Sequence, residues 1–287
     1  MNWFFLSLTA ALSIAARDVS IKTYKDLDPP EIAIIELLWA TPYFFLGFLL
    51  VETPPLDQTF WWNLGLSLPI NILAYILYLY AIKISPISLS VPFLAFTPVF
   101  MILTGFFILS ETVNGWGALG IGLIVLGGFV LHYKQNQTGF FAPLTAFMQE
   151  KGSWLMLIVA ILYAFAAVIG KKAMLHSSPL FFSYGFFLLF NLTSLTGLLL
   201  FRRTDWRKIF HQSPKGLWLG SLLMVHISLH GLAIAMSTAV YMVAVKRSSI
   251  LFSVLFSWLI LKEKNIRYRG LGTLLMFAGM LFITLLG

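Results

Sequence analysis

The 287-residue sequence has no cysteine and very little charge. Without cysteine there is no disulfide, no thiolate nucleophile and no cysteine metal site. Asp, Glu, Lys and Arg make up only 10% of the chain, where an ordinary soluble domain carries about 25%. That shortage leaves no room for a separate soluble domain. A Walker sequence is also missing, so a primary ATP-driven pump would need a partner ATPase. The glycines of NGWGALGIGLIVLGG lie in an apolar run. They read as close helix packing, since no strand–loop–helix context surrounds them. No compact nucleophile–base pair or acidic metal cluster stands out, so neither an enzyme nor a cofactor is expected. The phrase HISLH places His226 and His230 on one helical face but lacks the glutamate of a zinc site. No metal is expected there.

What the chain does contain is apolar length. Hydrophobic residues make up 59% of it, and mean hydropathy is +0.89. The pattern predicts ten spans, near 3–21, 30–51, 61–81, 87–110 and 116–133, then 154–172, 179–201, 217–235, 238–261 and 269–286. The first is read as a retained helix, because it holds Arg17 and Asp18 and lacks a clear cleavage site. Pro69, Pro92 and Pro98 fall inside spans, where each should bend its helix or free a carbonyl. The expected protein is an integral multi-pass membrane protein, of a prokaryotic inner or plasma membrane. The formal charge of +8 reads as loop charge beside spans, not as a nucleic-acid surface. Its distribution favours both termini outside the cytoplasm, with Lys171 and Lys172 counted to a loop on the terminal side.

The halves resemble each other. A shift of 152 residues places Glu111 on Glu263, Ser85 on Ser237, Gly120 on Gly272 and Gly127 on Gly279. Five crossings per copy turn the second copy over. The expected fold is therefore an all-α polytopic membrane protein with ten transmembrane helices in two inverted five-helix repeats. The repeats occupy 1–133 and 154–287, joined by 134–153.

Polar residues inside spans are the candidate site. Span nine, Thr238 to Leu261, is expected to be one apolar helix interrupted only by Lys246 and Arg247. Each cation near mid-membrane costs about 2.5–3.5 kcal/mol even on a lenient scale. Water, a counter-charge or an anionic ligand must face them. An arginine fork grips carboxylate or phosphate, and a lysine adds a movable charge. Because neighbours point about 100° apart, one is expected to face the ligand while the other braces a carboxylate. The shift of 152 pairs them with Leu94 and Ala95, so the basic pair belongs to one half alone. Tyr78, Asn71, Tyr241, His226 and His230 are further candidates for lining a substrate passage, with helix-to-helix bonding as the alternative role. For the histidines, packing and protonation coupling both stay open. Arg17, Asp18 and Glu36 form an ion-pair or gating cluster across the first hairpin, and Glu111 and Glu263 mark helix boundaries.

FLAFTPVFMILTGFFILSE at 93–111 and GALGIGLIVLGG at 117–128, with FSVLFSWLILKE at 252–263 and RGLGTLLMFAGMLFI at 269–283, resemble the drug/metabolite transporter superfamily, above all its EamA branch. Lys246-Arg247 is similar in place and type to a basic pair of sugar-phosphate and nucleotide-sugar carriers. The resemblance implies a secondary transporter that moves a small, polar, anionic organic metabolite by alternating access. The resemblance also leaves room for an amino-acid or drug exporter. A non-transport scaffold or sensor is the other alternative. Membrane lipid is an expected partner. Coupling to a proton or counter-substrate, and the choice between monomer and homodimer, stay open.

Overall fold

The computed structural model describes residues 2–131, 150–201, 204–262 and 270–287. Among them every regular element is helical. The helices are α1 (Asn2–Thr23), α2 (Pro29–Leu49), α3 (Gln58–Ile84), the short α4 (Ile87–Ser90), α5 (Thr97–Leu109) and α6 (Gly115–Leu131). After the expected connection, most of which lies outside the described residues, come α7 (Lys151–Leu175), α8 (Pro179–Phe201), the short α9 (Trp206–His211), α10 (Ser213–Ala235), α11 (Ala239–Lys246), α12 (Ser249–Leu261) and α13 (Gly270–Leu286).

Local chemistry sets the helix starts. Asp28 caps α2 in a reciprocal box: its carboxylate accepts from the Glu31 amide at 2.9 Å, and Glu31 accepts from the Asp28 amide at 3.0 Å. Pro29 and Pro30 stand in the first turn, where a missing N–H costs nothing. Asp57 caps α3 by accepting from the Phe60 amide at 2.8 Å, and it meets the His176 imidazole at 2.6 Å. The Phe60 amide first, and then the imidazole, hold this exposed carboxyl below its ordinary range.

The expected ten long spans are met in part. Among the described residues, seven stretches are long and apolar enough to cross a membrane, and three more, Phe93–Leu109, Gly115–Gly128 and Leu274–Leu286, are shorter apolar helices. The shortening has causes. In the fourth stretch α4 gives way to a 3-10 turn over Val91–Phe96 before α5 begins. Pro92 and Pro98 lack the N–H groups that a continuous helix would use there. Pro69, by contrast, sits within a continuous α3.

Span nine is not one uninterrupted helix either. The Ser248 amide bonds to the Val245 carbonyl at 2.9 Å, and the Ile250 amide to the Arg247 carbonyl at 3.0 Å. These three-residue bonds tighten the chain between α11 and α12 at the charged pair. The 152-residue shift places the Val91–Phe96 turn on 243–248, so both fourth helices are irregular at matching places.

Packing follows a regular exchange. α6 lies against α13, α3 against α7, α1 against α10, and α2 against α8. A Cβ at Gly120 would lie 2.7 Å from the Gly279 carbonyl oxygen, and one at Gly127 would lie 2.5 Å from that of Gly272. The two backbones therefore touch, which only glycine permits. α2 and α10 also pack directly, with Gly220 seated on the Ala40 backbone. Among the described residues, two that are not glycine adopt left-handed backbone: Ser110 (φ 56°) after α5 and Lys262 (φ 53°) after α12.

Candidate functional site

Helices α1, α3, α7, α8, α10 and α11 line a partly open cavity of about 160 Å³. The tightened turn after α11 delivers Lys246 and Arg247 to its wall, both buried. Lys246 Nζ lies 3.0 Å from His230 Nδ1 on α10. Arg247 Nη2 donates to Thr97 Oγ1 at 2.8 Å, while its Nε is buried without a partner. The expectation that one of the two braces a carboxylate is therefore corrected. Neither makes a salt bridge among the described residues, since an imidazole and a hydroxyl occupy the places where a carboxylate was expected.

His226 lies one turn before His230, with ring centroids 6.0 Å apart, and its buried Nε2 makes no hydrogen bond. Both rings line the cavity. No cluster of three or more metal-binding side chains occurs among the described residues. Asn71 and Tyr78 also reach the cavity from α3. The Asn71 amide is turned to its own helix, donating to the Ser67 carbonyl at 2.9 Å and hydroxyl at 3.0 Å.

Tyr241 lies elsewhere. Its ring rests on Gly117, and its hydroxyl meets the Asn114 amide at 3.2 Å and Asn114 Oδ1 at 3.3 Å. Its residue type suggested a cavity contact, but its direction on α11 aims it at the start of α6. Asn191, a polar residue of span seven, is buried on α8 and makes no hydrogen bond through either amide atom.

A second buried charge cluster borders the same cavity. Arg17 grips Glu36 with two bonds, Nε–Oε1 at 2.5 Å and Nη2–Oε2 at 2.7 Å. Tyr75 donates to Glu36 at 2.6 Å, and Tyr78 donates to Asp18 at 2.5 Å. The guanidinium carbon lies 5.7 and 5.6 Å from those two ring centres. Asp18 also accepts from Ser253 of α12 at 3.1 Å, and it stands 3.9 Å from Arg17. Every charge in this cluster has a defined partner.

Glu111 ties three segments together. It accepts from Lys171 at 2.5 Å and from the Ala239 amide at 2.9 Å, while Lys171 also reaches the Ser237 carbonyl at 2.6 Å. Its repeat counterpart Glu263 lies outside the described residues. Lys171 was expected in a loop, but it is a buried residue of α7 that lines the cavity. Also missed were Tyr163 on α7 and a wall of Phe182, Phe186 and Phe190 on α8. The rings of Phe182 and Phe186 stack at 5.2 Å, and those of Phe186 and Phe190 at 6.4 Å. The signals were present in the sequence: phenylalanines four residues apart, and small residues Ala166, Ala167 and Gly170 on one face between Tyr163 and Lys171.

Comparison with known proteins gives one family. The model of the EamA-like transporter family matches residues 1–133 and 150–285. No curated protein matches the chain. Among solved structures 28 chains match. One of them, described only as "Crystal structure of protein", has a TM-score of 0.70 and 13% identity, over 98% of this chain and 99% of that one. At that identity the likeness shows the fold alone.

Proposed function

The chain belongs to the EamA-like transporter family, and on that premise we propose that it carries a small anionic organic solute across the membrane by alternating access. The family consists of membrane transporters of small molecules, and this protein is an integral multi-pass membrane protein. The observation that carries the anionic reading is the state of Lys246 and Arg247. Both are buried at one cavity and neither meets a carboxylate. A charge-assisted bond to a solute carboxylate or phosphate would offset their desolvation.

Two inverted five-helix units, 1–133 and 154–287, supply the two openings in this reading. Support comes from contacts that exchange under the 152-residue shift. Gly120 meets Gly279 and Gly127 meets Gly272, and each contact maps onto the other. Likewise α1 on α10 maps onto α7 on α3. The sealed seam differs from the open one. α2 packs on α10 through Gly216 and Gly220, whose counterparts on α3 are Leu64 and Leu68. α3 and α8 touch through the ring pairs Phe60–Phe182 and Tyr75–Phe190, while Asn71 and Phe186 of the same helices line the cavity. The motion exposes Lys246 and Arg247 to each side in turn.

The test is flux of an organic-anion panel into liposomes holding the purified protein, repeated with Lys246→Gln and Arg247→Gln. Saturable anion uptake that both variants reduce is the expected outcome. Transport of neutral or cationic solutes alone, unaffected by either variant, would end the anionic reading.

A further inference from the structure

We infer that the transported solute is a monovalent anion with an apolar body about one ring in size and no ammonium group. This rests on the anion-carrier reading above and narrows it.

The first ground is charge. Four cationic side chains line the cavity, Arg17, Lys171, Lys246 and Arg247, and no Asp or Glu is among the lining residues. Asp18, Glu36 and Glu111 stand behind the first two. By formal charge, four cations against three carboxylates leave a single positive charge. One negative charge on the solute balances it, and a second exceeds it. An ammonium group would find only neutral oxygens such as those of Asn71 and the tyrosines. Glu36 and Asp18 are fully buried and already accept from Arg17, Tyr75, Tyr78 and Ser253. A buried charge without a counter-charge is costly.

The second ground is size, and the third is the wall. The cavity, about 160 Å³ and open on one part of its wall, has room for one ring-sized apolar group. Phe182, Phe186 and Phe190 present a continuous aromatic face, with Phe187 beside it. Such a face favours a flat apolar group over a hydroxylated one. The cationic pair and the aromatic face lie on different helices around one cavity, so one solute can meet both.

The experiment uses the full-length protein in liposomes, with protein-free liposomes subtracted. Initial uptake of 3-phenylpropanoate, phenylalanine, phenylsuccinate, 2-phenylethylamine and propanoate is measured separately. Phenylalanine differs from 3-phenylpropanoate by its ammonium group, phenylsuccinate by a second carboxylate, and propanoate by the missing ring. We expect 3-phenylpropanoate to exceed phenylalanine and phenylsuccinate by about tenfold or more, and propanoate severalfold. Arg247→Gln should lower its uptake about tenfold or more. Equal uptake of phenylalanine or phenylsuccinate overturns the narrowing yet leaves an anion carrier standing. Equal uptake of propanoate removes the ring from the inference. Uptake of 2-phenylethylamine alone overturns both readings, and uptake of none of the five overturns the inference.

Discussion

Arg17 and Arg247 are both buried arginines on one cavity, and they differ in how their nitrogens are bonded. Arg17 is gripped twice by Glu36 and flanked by two tyrosine rings. Arg247 has one hydroxyl, from Thr97, and a bare Nε. The first arrangement is complete without a ligand and holds α1, α2 and α3 together. The second leaves a buried nitrogen without a hydrogen bond. The contrast teaches that burial alone does not characterise a charge; the state of its hydrogen-bonding groups separates these two.

Breaking the complete cluster should have the largest effect. Glu36→Ala would leave Arg17 without its carboxylate inside the membrane, a loss of about 3–5 kcal/mol for a buried pair stripped of one partner. Thermal unfolding in detergent should show it as a sharp drop in Tm. A Tm near that of the parent would mean that Arg17 is no more committed than Arg247.

Arg247→Gln is the reciprocal change. It removes an incompletely bonded cation, so Tm should stay equal or rise, while anion flux falls about tenfold or more, as expected for losing a charge-assisted bond. Stability and flux are thus expected to separate at Arg247 and to fall together at Glu36. A parallel loss at both sites would erase the distinction.

Thr97→Val sharpens the comparison from the other side. It strips the Arg247 guanidinium of its one hydrogen-bond partner among the described residues, at a cost of about 1 kcal/mol. Anion binding should then stabilise the variant more than the parent in a thermal-shift titration.

The smallest effect belongs to the solvated Asp57–His176 pair, a benchmark for charges that water also serves. Its carboxyl is held below the usual range. Its contribution is therefore complete above the unfolded carboxylate value and is lost as pH falls through the lower folded value. Asp57→Asn should flatten that acid limb slightly in a Tm-versus-pH series and leave flux unchanged.

Much of the architecture was legible because apolar length and a fixed repeat offset are one-dimensional signals. Ser110 and Lys262, Gly120 and Gly272, all stand at that offset. The charged pair was legible as an anomaly. Directions were not. Tyr241 and Lys246 share α11, yet one meets α6 and the other the cavity, because only packing fixes which face of a short helix turns inward. Lys171 was hidden by its charge: it lay inside the expected span 154–172 but was counted to the following loop, whereas α7 runs on to Leu175 and buries it. The break at Arg247–Ser248 was hidden for another reason. Neither glycine nor proline stands there to announce it, and the bonds that tighten the turn are backbone bonds.

The left-handed turns at Ser110 and Lys262 carry one more consequence. Such backbone costs an ordinary residue about 1–2 kcal/mol, and glycine would relieve it. Instead a serine and a lysine bear it, 152 residues apart, at the ends of matching helices. The two side chains have nothing in common, so what recurs at this offset is the torsion and not the residue. The correspondence of the two halves is carried here by dihedral angles, in a place where the letters of the sequence do not spell it.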